Sequence, residues 1–437
     1  MMARWLADWH PDDEAFWESK GKRVARRNLA FSIFAEHLGF TVWTLWSIVA
    51  TRMGNYDFTT DQLFWLVALP NLIGSALRIP YTFGPARFGG RNFTVASALL
   101  LLVPAVLLGF AVTDPGTPYW LFLVIAALGG VGGGNFASSM ANITYFYPRS
   151  KQGVALGLNA AGGNIGVSSV QLVMPLVIGS LGLAAAGWFW VPFIVVAAGC
   201  AWFFMDNLTS ARANPREQLA VAGRAQTWVM SFLYIGTFGS FIGYSTAFPL
   251  LSKSVFPDAP YAAVAFVGPL LGSLIRPVGG WLADRLGGAP VTLWNFAAMG
   301  AGVVLVWFAT TSGSFWLFFL AFQTLFVTAG IGNGSTYRMI PAIFQAKAVA
   351  ERGESEEALL YGKRQASAAI GIISAVGALG GFLINRAFGM SFAATGSPAT
   401  AFLAFGAFYG ACFALTWWCY MRTVGVSRMA SLAYARV

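Results

Sequence analysis

Two arginines, Arg78 and Arg276, are the residues most able to do chemistry in this chain. They sit in Gly74-Ser75-Ala76-Leu77-Arg78-Ile79-Pro80 and Gly272-Ser273-Leu274-Ile275-Arg276-Pro277, deep inside apolar runs that hold no Asp or Glu. An uncompensated guanidinium in hydrocarbon costs from ~2.5 to above ~10 kcal/mol. Two such costs at matching positions point to a counter-charge that comes and goes, a small anion. The guanidinium is always charged, and its planar fork of donors suits a flat oxyanion or a carboxylate. The competing reading is that each bonds backbone carbonyls or snorkels to an interface. A matched pair makes that reading the weaker one.

Other polar groups share these apolar runs. Glu36-His37 holds the one acidic residue within a span, and both side chains can exchange protons. They are the proton-coupling candidates, against the plainer reading of a buried carboxylate held by a neighbour. Asn164, Ser168 and Gln171 recur at i, i+4 and i+7, one helical stripe that either bonds a neighbouring helix or lines an anion's path. The rings of Phe136 and Phe238 could flank a flat substrate, although a lone aromatic in such a run is usually packing. Arg338 reads as a gate or interface residue. The three cysteines, Cys200, Cys412 and Cys419, read as core, and two histidines are too few for a metal site. No nucleophile–base constellation is visible, so neither an enzyme nor a cofactor is expected.

The elements that must position these groups follow from composition. The chain has 437 residues, 57% hydrophobic and only 10% charged, where soluble domains carry about 25% charged residues. Apolar stretches of membrane-crossing length recur throughout, too long for barrel strands. The expected fold is an all-α membrane protein with twelve transmembrane helices, at 29–50, 62–83, 93–112, 119–145, 153–179, 183–205, 227–251, 261–283, 290–311, 315–344, 365–388 and 400–421. Residues 1–28 form a cytoplasmic N-terminal segment with no cleavable signal. Residues 29–205 and 227–421 form two six-helix bundles joined by a cytoplasmic linker at 206–226, and 422–437 form a cytoplasmic tail. The polar segment from Gln345 to Arg364 is expected to form a short surface helix. With the N-terminus inside, 21 of the 27 Lys and Arg fall on the cytoplasmic side and three outside, as the positive-inside rule requires. The net charge of +10 therefore reports topology, and no nucleic-acid partner is expected.

Internal repetition sets the architecture. Arg78 and Arg276 lie 198 residues apart, and each begins Arg-x8-Arg-x-Gly-Gly. The same offset maps Gly132-Gly133-Gly134-Asn135 onto Gly330-Ile331-Gly332-Asn333. At a nearby offset Gly157, Gly163 and Gly166 match Gly371, Gly377 and Gly380. These six glycines are candidates for surfaces where helices approach closely and slide. Parallel six-helix halves around a midplane site describe the major facilitator architecture.

Gly280-Trp281-Leu282-Ala283-Asp284-Arg285-Leu286-Gly287-Gly288 resembles the loop motif of that superfamily. Its first-half counterpart, Thr82-Phe83-Gly84-Pro85-Ala86-Arg87-Phe88-Gly89-Gly90, lacks the Asp. Within the superfamily the chain resembles the nitrate/nitrite porter family. Gly133-Gly134-Asn135-Phe136-Ala137-Ser138-Ser139-Met140, Gly157-x-Asn159 through Gly166, Gly332-Asn333-Gly334-Ser335-Thr336 and Leu77-Arg78-Ile79-Pro80-Tyr81 carry the likeness. The resemblance implies that Arg78 and Arg276 ligate the anion, that Phe136 and Phe238 flank it, and that Tyr234 and Asn164 add polar contacts. It implies a multi-pass monomer of the cytoplasmic (inner) membrane that carries nitrate and/or nitrite by alternating access. Nitrate entering against an inside-negative potential is opposed by about 2.3 kcal/mol per 100 mV, so uptake needs a co-transported cation or an exchanged anion. Glu36-His37 resembles the proton-linked branch. Proton-coupled nitrate uptake is the leading expectation, nitrate/nitrite exchange the alternative, and carriage of another organic anion or a transport-dead sensor less so.

Overall fold

The computed structural model describes residues 5–148, 150–211, 220–422, 432 and 437. Residues 1–4, Arg149, the middle of the 206–226 linker and most of the 422–437 tail lie outside the described residues, and with them Arg4, Arg212, Arg216, Arg428 and Arg436.

Among the described residues, eleven helices are long and apolar enough to cross a membrane. They are α1 (Glu14–Arg52), α2 (Thr60–Phe88), α3 (Gly90–Ala111), α4 (Tyr119–Phe146), α5 (Gln152–Leu181), α6 (Ala185–Phe204), α8 (Tyr261–Leu286), α9 (Gly288–Thr311), α10 (Phe315–Arg352), α11 (Glu356–Thr395) and α12 (Ala399–Met421). The twelfth, α7, runs as Ala225–Tyr234, a π-helical turn at Ile235–Gly239, and Ser240–Val255. Each expected span falls on one helix, but α1 begins 15 residues before the expected 29, α10 ends 8 residues after 344, and α11 extends beyond 365–388 by 9 and 7 residues. The Gln345–Arg364 segment does not form a separate surface helix. Instead α10 and α11 run on into it and are parted only by Gly353, where φ is +81°, Glu354 and the cap Ser355.

Local chemistry sets the helix ends. Thr59 and Gln62 form a capping box at the start of α2, and Ser314 and Ser355 accept from backbone N–H groups at the starts of α10 and α11. Gly89 and Gly287, equivalent under the 198-residue offset, end the helices before them with φ of +88° and +91°. That conformation is open to glycine and costly for other residues. The loop-motif glycines are therefore helix stops in both halves.

The chain divides into two compact units, Met1–Asn214 with Pro260–Phe266, and Pro215–Ala259 with Val267–Val437. The core of the first holds Leu38, Val42, Trp46, Leu66, Phe122, Ile125, Val170, Met174 and Trp190. At one end of this unit, β1 (Trp5–Leu6) pairs in parallel with β2 (Asn207–Leu208). Beside it Asp206 accepts from Arg27 Nη2 at 2.5 Å and from Asn28 Nδ2 at 2.9 Å. The second unit is packed by rings: Phe248 meets Phe318 at 5.9 Å and Phe322 at 5.1 Å, and Tyr244 meets Phe322 at 5.5 Å and Phe405 at 5.8 Å.

Candidate functional site

In the first unit the glycine run of α4 builds the seat of Arg78. A Cβ on Gly133 would lie 2.8 Å from Gly74 Cα and 2.6 Å from Trp43 Cε2. A Cβ on Gly132 would run into the Gly39 carbonyl. Only bare backbone lets α1, α2 and α4 come this close. Into that junction points Arg78, 0% exposed, whose Nε donates to Gly133 O at 3.3 Å. Its guanidinium carbon lies 4.5 Å from the centroid of Phe136 and 5.5 Å from that of Trp43. Trp43 is held in turn by its Nε1, which donates to Pro70 O at 2.9 Å. Two ring faces thus offer the cation a weak electrostatic partner inside a desolvated site.

The second unit repeats the plan with different side chains. A Cβ on Gly334 would meet the carbonyl of Arg276 and come within 2.7 Å of Gly280 N, so α10 presses on the backbone that carries the arginine. The Arg276 guanidinium lies 5.4 Å from the Tyr337 ring. Its Nη1 is buried and has no hydrogen-bond partner among the described residues. A buried donor of a charged group without an acceptor is costly, and an anion is the acceptor such a group suits. Tyr337 lies 6.4 Å from Tyr234, which stacks on Phe238 at 5.4 Å and 16°. The π-turn of α7 begins directly after Tyr234 and contains Phe238. Such turns often mark functional positions in helices.

The model of the Major Facilitator Superfamily matches residues 29–355. The nitrate/nitrite transporter NarU of Salmonella typhimurium is 46% identical, the alignment covering 95% of this chain and 96% of that protein. NarU of Escherichia coli matches at the same identity and coverage. This chain belongs to the nitrate/nitrite porter family of the major facilitator superfamily. Among solved structures, a bacterial homologue of the human lysosomal transporter Spinster superposes with a TM-score of 0.64 at 15% identity, covering 91% of this chain and 97% of that one. The human organic anion transporter MFSD10 superposes with 0.59 at 14% identity, covering 91% and 99%. These two likenesses establish the fold alone.

Within this porter fold the remaining candidates divide clearly. Asn164, Ser168 and Gln171 are all buried on α5. Gln171 Nε2 donates to Ser47 Oγ on α1 at 3.3 Å, whereas Asn164 Oδ1 and Ser168 Oγ have no partner among the described residues. Glu36 and His37, adjacent in sequence, go to different partners. Glu36 Oε2 accepts from Asn159 Nδ2 at 2.6 Å, and His37 Nδ1 lies 3.1 Å from Gly162 O. Arg338 is exposed and forms an ion pair, through Nε, with Asp284 of the loop motif.

The six matched glycines do not share one role. Gly163 faces the Glu36 carboxyl, Gly166 the His37 carbonyl and Phe40, Gly377 the Tyr234 ring, and Gly380 the backbone of Gly239. Gly157 has open space where a side chain would go, and Gly371 is half-buried. Three residues escaped the sequence reading: Trp43, Tyr337 and Asn159. Each had a signal. Trp43 lies two turns beyond Glu36, Tyr337 adjoins Arg338, and Asn159 stands in the Gly157-x-Asn159 signature.

Proposed function

We propose that this chain carries nitrate and/or nitrite across the cytoplasmic membrane by alternating access, with nitrate uptake coupled to inward proton flow. The observation that supports it best is the pair of arginine seats. Each half sets one guanidinium at a glycine-rich helix junction, Arg78 by two aromatic rings and Arg276 by one. A planar monovalent oxyanion matches a guanidinium edge in shape and charge, and rings beside it exclude water. The names of the 46% identical relatives point to the same substrates. In this reading Arg78 and Arg276 ligate the anion, Phe136 and Phe238 flank it, and Tyr234 and Asn164 add polar contacts. Residues 29–205 and 227–421 act as the rocking bundles of a monomer whose termini are both cytoplasmic.

Glu36 is the proton carrier of this proposal, because it is a carboxyl buried within a span. The test is nitrate uptake into proteoliposomes driven by a pH gradient, compared with nitrate/nitrite counterflow. Glu36→Gln should abolish the first and retain the second. Wild-type uptake that ignores pH and requires internal nitrite would establish exchange instead.

A further inference from the structure

The surroundings of Glu36 hold more than a carboxyl. Glu36 is 1% exposed. The Asn159 amide nitrogen on α5 lies 2.6 Å from Glu36 Oε2 and 2.6 Å from Ser139 Oγ on α4. Ser139 Oγ lies 2.8 Å from Ser32 Oγ, one turn before Glu36 on α1. A Cβ on Gly163, one turn after Asn159, would run into Glu36 Oε1. Three helices thus bring to the carboxyl an amide donor, two hydroxyls in line behind that amide, and a glycine that leaves it room.

The second half provides a control within the same molecule. The 198-residue offset maps Ser32, Glu36 and Ser139 onto Met230, Tyr234 and Tyr337, and the α5-to-α11 offset maps Asn159 and Gly163 onto Ile373 and Gly377. The glycine is kept, and a Cβ on it would meet the Tyr234 ring. The amide, both serine hydroxyls and the carboxyl give way to Ile, Met and Tyr. This helix junction therefore packs without the Asn–Ser–Ser set, and the set belongs to the carboxyl.

We propose that Asn159, braced by Ser139, is a positioning residue that sets the proton affinity of Glu36. This rests on the reading that Glu36 carries the proton. An N–H donated to a carboxylate favours its ionised form over the protonated one. Loss of the donor makes the proton harder to release, and the pH at which Glu36 empties rises.

Other ionisable groups face α1. They are Arg78 on α2, over Trp43; Tyr147 and Lys151 at the α4–α5 turn, against Trp17; and Asp206 after α6, bound to Arg27 and Asn28. His37 lies on α1 itself; on the neighbouring helices, α3 carries Arg91, over Trp202 of α6, and α6 carries the half-buried Cys200. A pH effect from any of these persists in Glu36→Gln and is subtracted by it.

The experiment measures gradient-driven nitrate uptake against pH in proteoliposomes of the full chain. In parallel, infrared titration follows the carboxyl band that Glu36→Gln removes. Asn159→Leu should move the midpoint of both curves upward by about one unit or more, with the counterflow KM for nitrate unchanged. Asn159→Ser, which keeps a donor, should fall between. An unshifted midpoint in Asn159→Leu, while Glu36→Gln still abolishes the pH dependence, overturns this proposal and leaves proton coupling standing. Unaltered pH dependence in Glu36→Gln itself overturns the coupling reading, and this inference with it. The infrared titration needs no turnover, so a variant that folds but does not cycle still decides the matter.

Discussion

At the residue scale, the two arginines are related by sequence but not by environment. Arg78 is sealed between Phe136 and Trp43 with its Nε on a backbone carbonyl, whereas Arg276 is half-buried over one ring. Lysine at either position keeps the charge and loses the planar fork, so nitrate affinity should fall about tenfold or more in both variants. Their stabilities should diverge. Arg78→Lys replaces a plane packed on two rings by a thin ammonium and leaves space at a close-packed junction, a destabilisation of about 1–3 kcal/mol. Arg276→Lys should stay within about 1 kcal/mol of wild type. Nitrate titration and thermal unfolding of the purified variants check both statements. Wild-type affinity in both would remove the arginines from the site.

At the scale of the element, glycines make helix contacts rather than loosen helices. Gly163 and Gly377 stand where a side chain would collide with Glu36 and Tyr234, so leucine at either should arrest transport by forcing α5 from α1 or α11 from α7. Gly157 is the internal comparison. It is exposed with nothing near its missing Cβ, so Gly157→Ala should leave transport intact and raise helix stability by up to ~1 kcal/mol. Uptake assays and unfolding curves on the three variants separate contact from flexibility. If the two leucine variants transport at the normal rate, these glycines only fill space. If Gly157→Ala fails, the glycines act through backbone freedom.

At the scale of the whole molecule, the proposed orientation depends on charge. With 21 of 27 basic residues assigned to one side, the reverse orientation would place that excess on the translocated face. A cysteine introduced at Thr113, in the turn after α3, should react in intact cells with a membrane-impermeant thiol reagent. One at Lys20, in the polar first turns of α1, should react only after the membrane is opened. The opposite pattern inverts the topology.

Span number, the repeat and the family were legible in the sequence because each rests on local chemistry that recurs. Hydropathy over membrane length marks a helix wherever it lies, and a duplication of six spans leaves the same residues 198 positions apart. Arg78, Arg276 and Glu36 stood out for a similar reason, since a charge in an apolar run is anomalous before any fold is known. Which neighbours those charges have was not legible. Trp43 and Tyr337 look like ordinary membrane aromatics until the glycine junctions bring them to the arginines. Asn159 looks like part of a signature until α5 is laid against α1. Adjacent Glu36 and His37 read as a pair, yet successive helical positions point about 100° apart, and the fold sends one to Asn159 and the other to Gly162. Sequence fixes the direction of a side chain relative to its own helix. What stands in that direction is decided only when the helices pack.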